Sequence, residues 1–239
     1  MQQQVNTRLI DQYPKMKYEA SDDDWPWVWG IRFGLDWKKV LSTDAIAQIE
    51  YQQSNPPAEL LPYLFVGHMF VASQEVRLQE CGITHVLNVA GSGAAGLDEE
   101  GYAAIGIKNR IIEAEDEEGY PLLENHFENA FKFIKEAKES GGKCLIHCEA
   151  GLNRSGLLAC ASAMELERLN VIDCVLKLRT RRSIYALFND SFQEQLVAFA
   201  RYRGLLGPKP GEAGCVVEEA APKKEDLTED DRLNDLFSS

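Results

Sequence analysis

The chain predicts an α/β fold: a single domain built on a central, mostly parallel sheet flanked by helices. Three observations carry this reading. Short apolar runs suited to buried strands, at Tyr63–Val66, Thr84–Val89 and Lys143–His147, alternate with helical patterns. The longest helical pattern, Leu122 to Glu139, sets Phe127, Ala130, Phe131, Ile134 and Ala137 at i, i+3, i+4 spacing and is stopped by Gly141-Gly142. The third apolar run ends in His147-Cys148, and a helical pattern from Ser155 to Leu169 follows within a few residues. Strand, short loop and helix in that order place a ligand at the carboxyl end of a strand in an open α/β sheet.

Taken in order, residues 1–24 are polar and end in Asp22-Asp23-Asp24, the composition of a loose terminus. All four tryptophans (Trp25, Trp27, Trp29 and Trp37) fall in residues 25–37, together with Phe33. Aromatics at this density are expected to dock on the core, the alternative being a partner-binding patch. Trp37 to Gln53 fits an amphipathic helix, with Val40, Leu41, Ile46 and Ile49 apolar and Ser42 or Thr43 as cap. Asn55-Pro56-Pro57 marks a boundary. The expected division is an N-terminal extension over 1–56, a core domain over 57–206 and an acidic, disordered tail over 207–239. Within the tail, Leu227, Leu233, Leu236 and Phe237 could form a transient helix with a partner.

Inside the core, Ser73 is expected to cap a short helix running to Glu80 and ending at Cys81-Gly82. Gly91 to Gly96 reads as a loop; it lacks both the G-x-G-x-x-G spacing and the G-K-S/T ending of nucleotide sites. Ala103 to Ile112 supplies another strand, and Ala114 to Pro121 an acidic loop.

Composition excludes several classes. Hydrophobic content of 45% and charged content of 26% are ordinary for a soluble globular protein. No apolar run approaches the roughly 18 residues of a membrane span, and Met1-Gln2-Gln3-Gln4-Val5 does not open a signal peptide. The six cysteines show no C-x-x-C pair and no zinc spacing, so free thiols in a reducing compartment are expected. That compartment is the cytoplasm, with the nucleus also compatible. No metal or other cofactor is implied. A net charge of −13 argues against a nucleic-acid-binding surface.

The chemistry lies in the loop after Cys148. At a helix N-terminus, unpaired N–H groups and the positive end of the helix dipole converge on a point that suits a tetrahedral oxyanion. Thiols placed there beside a cation ionise at roughly pH 3.5–7.5 and become nucleophiles. Cys148 is therefore the candidate nucleophile. Arg154, separated from Cys148 by five residues, offers a planar fork for two phosphate oxygens. The Ser155 hydroxyl could stabilise the thiolate as a leaving group. Taken alone, a cysteine after an apolar strand is more often a small core residue. A sulfurtransferase loop also sets a Cys before an Arg, but with fewer residues between them.

His147-Cys148-x5-Arg154-Ser155-Gly156 resembles the signature of the cysteine-dependent protein phosphatases, and CEAGLNRSG looks most like the dual-specificity branch. The resemblance runs from about Leu61 to about Arg203. Pro62 to Gly67 and Gly82 to Val89 resemble the family's first strands, and Asn189-x-x-Phe192-x-x-Gln195-Leu196 its closing helix. It implies hydrolysis of phosphotyrosine and phosphoserine or phosphothreonine in proteins through a phospho-cysteine. Cys148 would attack, and Glu149, Ala150, Gly151, Leu152, Asn153 and Arg154 would form the phosphate-binding loop. Asn153 is expected to pin that loop, with His147 as a hydrogen-bonded core residue that orients it and Ser155 in support. The family carries its general-acid aspartate on a loop about thirty residues before the cysteine. Asp116 stands 32 positions upstream in an Ala114-x-Asp116 context that resembles it, with Glu117 and Glu115 as alternatives. The carboxylates crowded there favour a protonated acid.

Leu178-Arg179-Thr180-Arg181-Arg182 resembles the family's V-R-x-x-R helix and is either a solvated basic face or a contact for acidic sequence around the phosphosite. Ser183 to Phe188 departs from the family, being longer and without its common proline, which makes the pocket rim this chain's own. The implied partners are phosphoprotein substrates, protein kinases among them. The first 55 residues are too short for the usual kinase-docking domain. A phosphoprotein-binding scaffold with weak turnover is the alternative of a different class. A phosphoinositide phosphatase is disfavoured because the loop has no lysine and carries Glu149. Net charge likewise disfavours an RNA 5′-phosphatase.

Overall fold

The computed structural model describes residues 17–34, 56–94 and 96–215. The helix expected over Trp37 to Gln53 and the tail beyond 215 lie outside the described residues. In chain order the elements are α1 (Trp25–Trp29), β1 (Ala58–Leu61), β2 (Leu64–His68), α2 (Met69–Ala72), α3 (Glu75–Glu80), β3 (His85–Asn88) and α4 (Glu99–Ala104). They continue with β4 (Lys108–Ile111), α5 (Leu122–Glu139), β5 (Cys144–Cys148), α6 (Arg154–Glu167), α7 (Val171–Arg181) and α8 (Asp190–Arg203).

The strands form one sheet in the order β1-β2-β5-β3-β4. β1 runs antiparallel to β2, and every other pairing is parallel. β5 is central and buried along its whole length, which is why it reads as an unbroken apolar run rather than an alternating one. Its side chains still alternate. Cys144, Ile146 and Cys148 belong to the large cluster under α5–α8, and Leu145 to a smaller one with Phe65, Val86 and Tyr102 on the other face. α5 buries the stripe that its spacing announced. α6 is buried on every side from Arg154 to Met164, because Gly156, Ala159, Ala161 and Ala163 let its neighbours approach closely. This central helix starts just beyond the carboxyl end of β5, so the intervening loop lies at the sheet's ligand-binding edge.

Three local expectations are corrected. β1 has no counterpart in the sequence reading. Ser73 does not open a helix: its Oγ donates to the Phe70 carbonyl at 2.9 Å and closes α2, while α3 begins after Gln74. The strand expected over Ala103 to Ile112 starts late, because Ala103 and Ala104 end a helix and a turn follows. Asp98 Oδ1 accepts from Gly101 N at 2.8 Å and caps α4, Gly106 turns the chain at φ +74°, and pairing covers Lys108–Ile111 alone.

The first tryptophans dock on the core. Trp25, Val28, Trp29 and Ile31 are buried in the same large cluster as α8. Burying Val28 and Ile31 contributes about 1.5–3 kcal/mol each. The Trp27 indole donates to the Pro208 carbonyl at 3.2 Å, and buried Asp24 meets Arg201 at 2.7 Å. A π turn over Gly30–Gly34 continues the segment toward the start of α8.

Candidate active site

Cys148 ends β5 with its side chain buried. The Gly151 N–H donates to its Sγ at 3.2 Å, and Ser155 Oγ lies 3.3 Å from the same sulfur. The loop can curl this tightly because residue 151 is glycine. Its φ is +72°, and a Cβ there would sit 2.3 Å from the Gly67 carbonyl oxygen. The loop's carbonyls are tied from outside. Glu149 O accepts from Met69 N at 3.1 Å, and Ala150 O and Gly151 O accept from Arg182 Nη2 and Nε at 2.9 and 3.2 Å. A trans peptide points its N–H opposite its C=O, so these clamps turn the N–H groups of residues 150–152 the other way, into the loop. Burial pulls the Arg182 pKa down from its ordinary value, and the nearby Cys148 acts in the opposite sense.

Arg154 opens α6 and is itself buried. Its Nη1 donates to the Ala114 carbonyl at 3.0 Å, and Nη2 lies 3.5 Å from Glu149 Oε1. Nε is 3.7 Å from Asp116 Oδ2, an ion pair too long to be a hydrogen bond, and so is an enclosed donor without a hydrogen-bond partner among the described residues. Asp116 also receives Asn189 Nδ2 at 3.4 Å. Glu115 and Glu117 are exposed, and Glu118 accepts from Ser191 N at 2.6 Å. The acidic loop thus turns Asp116 toward Arg154.

Asn153 does pin the loop. Its Oδ1 accepts from Phe188 N at 3.0 Å and Asn189 N at 3.3 Å, while Leu187 N donates to Leu152 O at 3.2 Å. His147 is fully buried with Nδ1 3.4 Å from the Cys148 carbonyl, and burial pulls its pKa down to about 4. It is a neutral core residue beneath the loop.

The basic helix is corrected on both of its readings at Arg179 and Arg182, while Arg181 is exposed. Arg179 and Arg182 are buried, neither solvated nor presented to a substrate. Arg179 donates to the carbonyls of Ile31, Ala186 and Leu187, and Arg182 holds the phosphate loop. The sequence reading also missed Asn189 as the holder of Asp116. Its place just before the Phe192–Leu196 motif was visible as a helix-cap pattern, and it does accept from Phe192 N at 3.2 Å. Its reach to the acid loop was not visible.

A cysteine thiol, a tightly curled loop, a guanidinium and a carboxylate therefore converge at one helix start. The family model for the dual specificity phosphatase catalytic domain matches residues 64–202. The chain belongs to that family. Cys148, Arg154, Asp116, Asn189 and Arg182 all lie inside the dual specificity phosphatase domain, whereas the docked tryptophan segment lies outside it. Dual specificity protein phosphatase 26 of Bos taurus is 34% identical over 62% of this chain and 68% of its own length. Dual specificity protein phosphatase 2 of Homo sapiens is 35% identical over 67% of this chain, which spans about half (48%) of that relative. Among solved structures, a point variant of human DUSP28 superposes with a TM-score of 0.56 at 25% identity, covering 63% of this chain and 97% of that one.

Proposed function

We propose that this phosphatase domain hydrolyses phosphotyrosine and phosphoserine or phosphothreonine in proteins, with Cys148 as nucleophile, Arg154 as phosphate ligand and Asp116 as general acid. The observation that carries the assignment is the meeting of Cys148 Sγ, the Gly151 N–H, Ser155 Oγ and Arg154 at the start of α6, with Asp116 across from the guanidinium. The Cys148 thiolate attacks phosphorus, and the S–P bond forms as the P–O bond to the substrate breaks. Asp116 delivers its proton to the departing oxygen. Arg154 and the loop N–H groups hold the phosphoryl oxygens as charge shifts onto them. In the second step Asp116, now a carboxylate, takes a proton from water as that water attacks phosphorus. The S–P bond breaks, and the Ser155 hydroxyl donates to the departing sulfur.

Other readings fit less well. A scaffold has no use for a nucleophile, a phosphate ligand and an acid in register. An exposed Glu149 at the loop would repel a polyphosphorylated lipid head group. Protein kinases belong among the candidate substrates through the family resemblance, and six free thiols suit the cytoplasm or nucleus.

The test is a turnover panel of phosphotyrosine, phosphoserine and phosphothreonine peptides run beside phosphoinositide vesicles, with wild type and Cys148→Ser. All three peptide classes should turn over faster than the lipids. Cys148→Ser should lose roughly 10⁴–10⁶-fold in kcat while still binding phosphopeptide, since a hydroxyl fits the space but supplies no anion. Near wild-type turnover by that variant would refute the covalent mechanism. Faster lipid turnover would transfer the reading to phosphoinositides, and binding without turnover by the wild type to a scaffold.

A further inference from the structure

The family match begins at residue 64, yet two residues of the docked N-terminal segment reach the active site through a closed set of bonds. The Ile31 carbonyl accepts from Arg179 Nη1 at 2.7 Å, and Arg179 Nε and Nη2 donate to Ala186 O and Leu187 O at 2.8 and 3.2 Å. In parallel, Arg32 Nε donates to Gln193 Oε1 at 3.0 Å, and Gln193 Nε2 donates to the same Leu187 carbonyl at 2.9 Å. Arg32 also pairs with Asp190 at 3.0 Å and Glu194 at 3.3 Å, on the first turns of α8, and its side chain is only 6% exposed.

The point on which both arms converge is strained. Leu187 sits at φ +60°, a conformation that a branched side chain keeps only where its surroundings over-determine it. Here its carbonyl takes two donors and its N–H is held by Leu152 O. The next two residues touch both catalytic loops. The N–H groups of Phe188 and Asn189 hold Asn153 of the phosphate loop, and Asn189 Nδ2 reaches Asp116 of the acid loop.

We infer that Ile31 and Arg32, from outside the phosphatase domain, are positioning residues that lock the 186–189 turn and through it set both Asn153 and Asp116. The inference rests on the catalytic roles given to Cys148 and Asp116 above. The other end of the segment supplies the contrast. Asp24 meets Arg201 at 2.7 Å about three turns further along α8, a docking contact with no bond toward the site.

Full-length variants separate positioning from docking. The readouts are kcat on a phosphoserine peptide and on p-nitrophenyl phosphate, inhibition by inorganic phosphate, and Tm, with kinetics measured well below each Tm. Gln193→Glu still accepts from Arg32 but loses the donor to Leu187. Its kcat on phosphoserine should fall about tenfold or more, the scale of a small misplacement of a catalytic group. The fall on p-nitrophenyl phosphate should be smaller, because that leaving group departs without a proton. Arg32→Ala should shift the ratio of the two kcat values the same way and also lower Tm, and Arg32→Lys should recover part of both. Arg201→Ala should lower Tm and leave the ratio at the wild-type value.

Should Gln193→Glu and Arg32→Ala change Tm alone, the segment is merely docked and the inference is overturned. Asp116→Asn serves as the reference. If it leaves the ratio unmoved, the acid assignment has failed, and the clamp is then judged on phosphate inhibition. An inhibition constant unchanged in Gln193→Glu would overturn it there too.

Discussion

The phosphate loop and the acid loop face each other across Arg154 and are held by different means. In the phosphate loop, Gly151, Asn153 and Arg154 are buried, and three successive carbonyls are tied to Met69 N and the Arg182 guanidinium. In the acid loop, residues 115–119 are exposed, and the chain is held by side-chain bonds to the start of α8. Asn189 reaches Asp116, Ser191 Oγ accepts from Gly119 N at 2.9 Å, and Glu118 accepts from Ser191 N at 2.6 Å. The difference matches the work. The phosphoryl group needs the same donors in the same place in both steps, so they are preorganised in a buried frame. In the proposed mechanism the acid gives a proton to leaving groups of different shape and takes one back from water, which suits its place at the solvent edge.

Among variants that keep Cys148, breaking the acid side should have the largest effect. Asp116→Asn should lower kcat by roughly 10²–10⁴ on phosphoserine and phosphothreonine peptides, and much less on an aryl phosphate with an acidic phenol. The basic limb of the pH–rate profile should flatten, because that limb reports loss of the acid's proton. Glu115→Gln and Glu117→Gln should leave the limb in place. A flattened limb in Glu117→Gln with a normal one in Asp116→Asn would move the acid along by one residue and leave the cysteine mechanism standing.

The buried frame should respond to pH through His147. Burial lowers its folded-state pKa to about 4, while the unfolded chain titrates near 6.5. The unfolded state therefore binds the extra proton first. His147's contribution is fully present above about pH 6.5 and is lost as pH falls toward 4, amounting to about 3 kcal/mol over that window. Urea unfolding across the window should show it. His147→Asn, which places a non-titrating amide near the position of Nδ1, should remove this share of the acid-side loss. An equally steep loss in His147→Asn would assign the effect to other groups.

The smallest effect sharpens the comparison most. Arg182→Lys cannot hold the Ala150 and Gly151 carbonyls together, because a single ammonium replaces a planar fork. The inhibition constant for inorganic phosphate should rise about tenfold, the loss of one or two charge-assisted hydrogen bonds, with the basic limb of the pH–rate profile unmoved. The exposed neighbour Arg181→Lys should change neither. A shift of the basic limb in Arg182→Lys would mean that the clamp on the Ala150 and Gly151 carbonyls also sets the acid.

Some of this was written in local chemistry. The run from Cys144 to Cys148 is buried on both faces and so carried its own strand signal. α5 packs one stripe against the core and so kept its 3.6-residue period. Gly151 answers to a steric rule of the loop itself, and Cys148, Arg154 and Ser155 lie close enough in sequence to be brought together by one strand-to-helix turn. Interactions of this kind depend on neighbours a few residues away, and a sequence displays them.

The remainder depended on which segments meet. Nothing local distinguishes Arg181, which faces solvent, from Arg179 and Arg182, which are buried against backbone carbonyls contributed by the N-terminal segment and the phosphate loop. Asn189 reads as a helix cap in either case; that it also holds Asp116 follows from the packing of α8 against a loop 73 positions away. The edge strand β1 exists because β2 offers it a partner. Asp116 was placed by its distance from Cys148 in the chain, but its proximity to Arg154 is a product of the sheet order that sets β3 beside β5 and β4 beside β3. Sequence named the candidate reacting groups and the loop that carries them. Tertiary structure decided what holds those groups in register, because hydrogen bonds to carbonyls can be made by any donor that the fold brings within reach.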